Sequence, residues 1–185
     1  MAERDRQEEL ERLLEISGLL NSTLKLEELL QTIMSSAADL LGAETSSLFL
    51  LDEDASELTV EVATGAPAAE VLKQRVPAGE GIAGWVVQNG EAVVVASAKD
   101  DPRFYGEIDE RTGFETRNMV AVPMTTRDRT IGVIEVINKR EGEFDEDDLK
   151  LATALANHAA IAVENARLYA RLADAVVTSR MSYRL

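Results

Sequence analysis

Apolar and polar positions change period several times along the chain, and each change marks an element. The sharpest change lies between Thr130 and Lys150. Ile131, Val133, Ile134, Val136 and Ile137 put β-branched side chains on both faces of a strand. That pattern predicts a central strand in a sheet covered on both sides. The run ends at Asn138-Lys139, a charged loop follows, and Phe144-Asp145 opens a long alanine-rich helix. Asp145 suits the N-cap, and Asp147 and Asp148 place negative charge beside the free N–H groups of the first turn.

The other elements follow in order. Leu10, Leu13, Ser17, Leu20 and Leu24 recur in steps of three and four, a short heptad seam on an exposed N-terminal helix over residues 3–20. Two readings are open for that helix: it lies on its own domain, or it pairs with a second copy. Asn21-Ser22-Thr23 interrupts it. Leu29, Leu30, Ile33, Ala37, Leu40 and Leu41 then form the apolar stripe of a helix over 26–41, closed by Gly42. Thr45 to Leu51 reads as a strand. Glu57 to Thr64 reads as its hairpin partner, with Leu58, Val60 and Val62 on one face and Glu57, Thr59 and Glu61 on a wet one. A short helix over 68–74 follows, then a glycine-punctuated entry, Gly79 to Gly84, into a helix carrying Trp85. Ala92 to Val95 is a short buried strand.

Residues 97–116 form a long polar connection of the kind that serves as a binding loop or lid, with a short helix over 109–112. Residues 118–125 and 130–138 make a second hairpin, with a bulge or unpaired position expected at Pro123. The last helix runs from Asp148 to about Ala175, with Ala152, Leu155, Ala156, Ala159, Ala160, Val163 and Ala166 inward. Tyr169, Leu172 and Val176 carry the period past the domain, a natural match for the N-terminal seam. The division is 1–24, an amphipathic helix; 25–170, one α+β domain of αβα type with a central antiparallel sheet; and 171–185, the helix end and tail.

Composition narrows the function. Among 185 residues, 19 Lys and Arg against 34 Asp and Glu leave a formal charge of −15. With no local basic patch, nucleic acid and anionic membranes are excluded as partners. No apolar run approaches the roughly 20 residues that span a bilayer, and residues 1–10 carry no apolar signal segment. A cytoplasmic location is expected. Cysteine is absent, which removes disulfides, thiol catalysis and thioether-linked prosthetic groups.

No metal or catalytic centre is expected. His158, the only histidine, lies within the last helix and reads as a packing or surface residue. Asp52 to Asp54 read as a solvated turn, and Asp145 to Asp148 as a helix cap. Gly79-x-Gly81-x-x-Gly84 has the letters of a dinucleotide fingerprint, but that fingerprint must follow the first strand of a βαβ unit. Here the glycines read as the turn into a helix that Trp85 packs.

Taken together, several segments resemble the GAF domain family of small-molecule sensor and dimerisation modules. They are Ala43 to Leu51, Gly79 to Val86, Asp101-Pro102-Arg103-Phe104, Asn118 to Met124 and Ile131 to Lys139. The likeness runs from about Leu26 to Ala170. It implies a GAF-like αβα sandwich with helical extensions at both termini. Relatives that bind cyclic nucleotides carry an Asn-Lys … Phe-x-x-x-Asp-Glu signature. Asn138, Lys139, Phe144 and Asp148 match its first four positions, and Leu149 replaces the glutamate. The resemblance gives these residues a structural role, with a Lys139–Asp148 ion pair bracing the strand exit.

It also places a pocket between the sheet and residues 68–116. Phe49, Trp85, Phe104, Phe114 and Met119 are then candidates for its apolar wall, and Arg103, Arg117 and Asn118 for its polar ends. No cofactor is required. A cyclic nucleotide or another small metabolite is the implied ligand, and a covalent bilin or cysteine-dependent reductase chemistry is excluded. The implied function is non-enzymatic sensing, passed through the terminal helices of a homodimer to a signalling partner or effector domain, in cis in a longer protein or in trans. The alternative is a ligand-free dimerisation or protein-interaction module.

Overall fold

The computed structural model describes residues 25–182 apart from Glu53, Ala55 and Asp128, with the side chains described as far as Ala175. The N-terminal helix and its seam lie outside the described residues. The chain divides into two compact units. One spans Leu30–Ile161. The other is helical in its described residues, 25–29 and 162–182.

The larger unit is built on one antiparallel sheet. Helix α1 (25–40) leads into β1 (Ala43–Leu51) and β2 (Glu57–Ala63), then α2 (Ala68–Val71), β3 (Arg75–Pro77), α3 (Gly81–Asn89) and β4 (Val93–Val95). A 3₁₀ turn (Ala98–Asp100) and α4 (Glu107–Thr112) precede the hairpin of β5 (Met119–Thr126) and β6 (Arg129–Lys139), and α5 (Glu146–Ser182) closes the chain. The sheet order is β3-β2-β1-β6-β5-β4. β6 is therefore central, paired to β1 and β5. Val133, Ile134 and Val136 are fully buried. Burial of such side chains contributes about 1.5–3 kcal/mol each, which makes this strand the largest apolar contributor to the core.

Register sorts the two faces. Cross-strand pairs Phe49–Val133, Ser47–Glu135 and Thr45–Ile137 lie on one face, with Met119 and Ala121 of β5. Leu48, Ile134, Val136, Val120 and Val122 occupy the other, together with Ser46, whose hydroxyl donates to the Met34 carbonyl of α1 at 2.8 Å. That face is covered by the buried sides of α1 (Leu30, Met34, Ala37, Ala38) and of α5 within this unit (Ala152, Ala156, Ala159, Ala160). Leu29 and Leu40, read from the sequence as part of the α1 stripe, are exposed; Met34 and Ala38 take their place.

Two bulges correct the strand patterns. In β2 the pairing jumps from Leu48–Val62 to Phe49–Val60, so Glu61 is the extra residue. Val62 is thereby turned to the opposite face from Leu58 and Val60, although strict alternation put all three together. In the second hairpin the bulge lies at Ile131, between the Met124–Gly132 and Thr125–Thr130 pairs, and not at Pro123. Asn138 donates its N–H to the Asn118 carbonyl, which sets the phase of the β5–β6 ladder. Pro123 then falls in a non-hydrogen-bonded pair with Val133, past the end of β4, where no N–H is needed. β3, only three residues with a proline, gave no sequence signal. α5 begins at Glu146 and extends to Ser182, longer at both ends than its periodicity suggested.

Candidate functional site

The second sheet face carries a cleft roofed by α2, α3, α4 and their loops. Its empty volume, with the open mouth included, is about 730 Å³. Phe49, Val60, Val76 and Ile137 form its inner wall, while Val71, Ile82, Phe104, Ile108 and Phe114 line it from the roof. The roof is held close by glycine. A Cβ on Gly84, in the first turn of α3, would lie 2.8 Å from the Gly79 nitrogen and 2.9 Å from its carbonyl carbon. Two backbones therefore touch where a side chain has no room. This is the physical role of the Gly79–Gly84 pattern.

The cleft is apolar with a small set of polar groups. Thr45, Ser47, Glu80, Tyr105, Asp109, Thr112, Thr116 and Glu135 face it, and no Lys, Arg or His does. Asp109 holds the loop after α4 by accepting from the Thr116 N–H at 2.7 Å and the Thr116 hydroxyl at 2.8 Å. Glu135 sits mid-sheet among Val133, Ile137 and Ala121. Burial, and secondarily the Asp109 charge, push its carboxyl up from 4.5 to about 7.

Of the sequence candidates, Phe49, Phe104, Phe114 and Met119 line the cleft. Trp85, Arg103, Arg117 and Asn118 lie outside its lining. The Arg103 guanidinium stacks 4.6 Å above the Trp85 ring and donates to both Asp101 oxygens, at 2.9 and 2.6 Å. These bonds hold the Asp101 carboxyl below its usual range. Arg117 pairs with Glu44 at 2.9 Å, and the Asn118 side-chain carbonyl accepts from the Lys139 N–H. Each polar candidate is thus consumed by a local partner. Sequence reasoning missed Glu135, Asp109 and Glu80. For Glu135 a signal was present: one ionisable residue inside an apolar run that is buried on both faces.

The signature residues brace the far end of the sheet. Asn138 is fully buried with φ +60°. Its carbonyl accepts from the Arg117 and Asn118 N–H groups, and its amide donates to the Glu115 carbonyl and to Glu44. The Arg117 and Asn138 bonds together lower the Glu44 carboxyl. Lys139 pairs with Asp148 and lies 5.5 Å from the Phe144 ring centre. Asp145 caps α5 by accepting from the Asp147 and Asp148 N–H groups, while Asp148 accepts from the Asp145 N–H at 3.0 Å, a reciprocal capping box. His158 is exposed, and no cluster of metal-binding side chains occurs among the described residues. Among those residues, no helix is long and apolar enough to cross a membrane.

Known proteins match this arrangement. The family model described as the GAF domain covers residues 23–164. The chain is 28% identical over 177 residues to a probable 3',5'-cyclic phosphodiesterase, pde-5, of Caenorhabditis elegans, a match covering 91% of this chain and 24% of that protein. It is 34% identical over 168 residues to the dual 3',5'-cyclic-AMP and -GMP phosphodiesterase 11A of Takifugu rubripes, covering 85% and 19%. The chain thus spans a quarter or less of these curated relatives. Among solved structures, the GAF domain from a phosphoenolpyruvate-protein phosphotransferase (ptsP) of Coxiella burnetii superposes with a TM-score of 0.72 at 22% identity, over 85% of this chain and 96% of that one. At that identity the likeness speaks for the fold.

Proposed function

The chain belongs to the GAF domain family, and from that premise we propose that it is a non-enzymatic regulatory module that senses a small molecule in the sheet-face cleft. The cleft itself is the observation that carries this reading: a concave apolar site with a few convergent polar groups, set between a rigid sheet and short roof elements. Ligand entry draws the α3 and α4 segments onto the sheet. A regulatory output requires that the ligand favour one of two states of the protein. In this reading the terminal helices of a homodimer carry the change to an effector.

Native mass spectrometry of the purified protein tests the reading. A retained metabolite is expected, or failing that a metabolite that raises the melting temperature. Ser47→Phe, which fills the cleft from β1, removes either signal, and ligand addition changes hydrogen exchange over residues 162–175. A clean apo mass, together with no metabolite whose effect depends on the cleft, sinks it. The similarity to cyclic-nucleotide phosphodiesterases makes cyclic AMP and cyclic GMP the first compounds to try. A second reading, a ligand-free dimerisation module, is favoured by the apolar residues Leu168, Tyr169 and Leu172 that α5 exposes.

A further inference from the structure

The charged side chains lining the cleft are all carboxylates: Glu80, Asp109 and Glu135. Acidic residues on a surface carry no message by themselves, but Glu135 is not on the surface. It is 8% exposed, it stands on the central strand, and its residual exposure is to the cleft. Its carboxyl has no hydrogen-bond partner among the described residues, whereas Asp109 opposite spends both oxygens on Thr116. Ser47, directly across the β1–β6 ladder, brings a hydroxyl to the same face. An aliphatic residue in place of Glu135 would complete the core. The carboxyl instead leaves an acceptor without a protein partner pointed into a mostly apolar cleft, which has a cost in stability that a donating ligand would offset.

We infer that the cleft takes an organic cation: a small molecule with an apolar body held by Phe49, Phe104, Phe114 and Met119, and an ammonium or guanidinium group donating to Glu135. This rests on the sensor reading and names its ligand class. An ammonium has three donors and no acceptor, which suits a neighbourhood of two facing carboxylates and the Ser47 hydroxyl. The negative field of Asp109 and Glu80 favours a cation there, while a cyclic phosphate would enter against three carboxylates with no Lys or Arg to receive it. The titratable groups facing Glu135 are Glu80, Tyr105 and Asp109. With the Glu135 carboxyl at about 7 in the empty cleft, a cation binding below that pH must displace a proton. Affinity therefore falls about tenfold per pH unit on the acid side.

The test uses the full chain, calorimetric titration and thermal shift. Phenethylamine, tyramine, tryptamine and agmatine are set against 3-phenylpropionate, cyclic AMP and cyclic GMP. At least one amine is expected to bind at a single site and raise the melting temperature. Its affinity should drop about fivefold between about pH 7 and pH 6, and about tenfold more between about pH 6 and pH 5. Glu135→Gln, checked for its fold by circular dichroism, should weaken it at least tenfold. Glu135→Leu should melt higher than the parent and still fail to bind. No amine binding at millimolar concentration overturns the inference, and so does amine binding unchanged by Glu135→Gln. A cyclic nucleotide or phenylpropionate that binds the parent but not Ser47→Phe overturns the cationic class and leaves the sensor reading standing. The sensor reading falls on its own arm, the empty native mass with no active metabolite.

Discussion

Glu135 and Asn138 lie three positions apart on the same strand and are buried for opposite reasons. Asn138 is a satisfied polar group. Its left-handed backbone, costly by about 1–2 kcal/mol for most residues, comes with bonds to Glu115, Arg117, Asn118 and Glu44. Asn138→Ala removes those partners and keeps the strain. It should lower the unfolding free energy by about 3 kcal/mol, measured by urea denaturation; a loss within the error of the measurement would show that the hub is dispensable. Glu135 has no protein partner among the described residues and opens only to the cleft. Its pKa rises from 4.5 to about 7 on folding, so the native state holds more protons than the unfolded state across that window. Stability is therefore lost as pH rises from the lower value to the upper one and is flat below both. The full penalty is about 3 kcal/mol. Glu135→Gln, uncharged at every pH, should gain on the parent by about that amount between about pH 4 and pH 8, read from paired denaturation curves. A constant gap between the two would refute the buried-carboxyl account.

At the level of elements, the junction of β6 and α5 does the organising. The strand end carries Lys139, the helix start carries Asp148, and their ion pair with the reciprocal Asp145 cap fixes where the helix leaves the sheet. Both partners are largely shielded, so a double-mutant cycle of Lys139→Met and Asp148→Asn should give a coupling of about 2 kcal/mol, above the 0–1 kcal/mol typical of exposed pairs. A coupling inside the exposed-pair range would make the pair incidental to the junction. This junction was legible in the sequence because a β-branched run buried on both faces and an Asp-rich helix start are local signals. The hairpins were legible for the same reason, the first with its turn and the second with strand ends displaced by one residue. What the sequence hid is set by partners remote in the chain. The bulge at Glu61 flips Val62 to the other face of β2 without altering the letter pattern. The cleft's aromatic wall was readable in part, since large apolar residues beside a loop-covered sheet face seek that face. Its polar groups were not, because Arg103 is claimed by Asp101 two residues away and Arg117 by Glu44, a pairing that only the assembled sheet makes.

For the whole molecule the question is how a filled cleft reaches anything else. In the helical unit, α5 presents Leu168, Tyr169 at 68% and Leu172 at 64% exposure. They are spaced so that one face of the helix carries them all, and an exposed apolar strip of this kind marks an interaction site. The sequence supplies a second strip per chain, Leu10, Leu13, Leu20 and Leu24. Two strips on each of two copies fit a twofold-symmetric bundle in which the same surface is used on both sides. A charge of −15 on each chain opposes that pairing, so the dimer should tighten as salt screens the repulsion. Tyr169→Glu with Leu172→Glu, and separately Leu10→Glu with Leu13→Glu, should each shift the protein to monomer in sedimentation equilibrium. Neither pair should change ligand affinity, because the cleft is lined wholly by residues between Thr45 and Ile137. They should, however, abolish the ligand-dependent change in hydrogen exchange over residues 162–175. If both variants keep the parent's dimer affinity, the terminal helices are not the interface. The signal would then have to leave through the roof of the cleft itself.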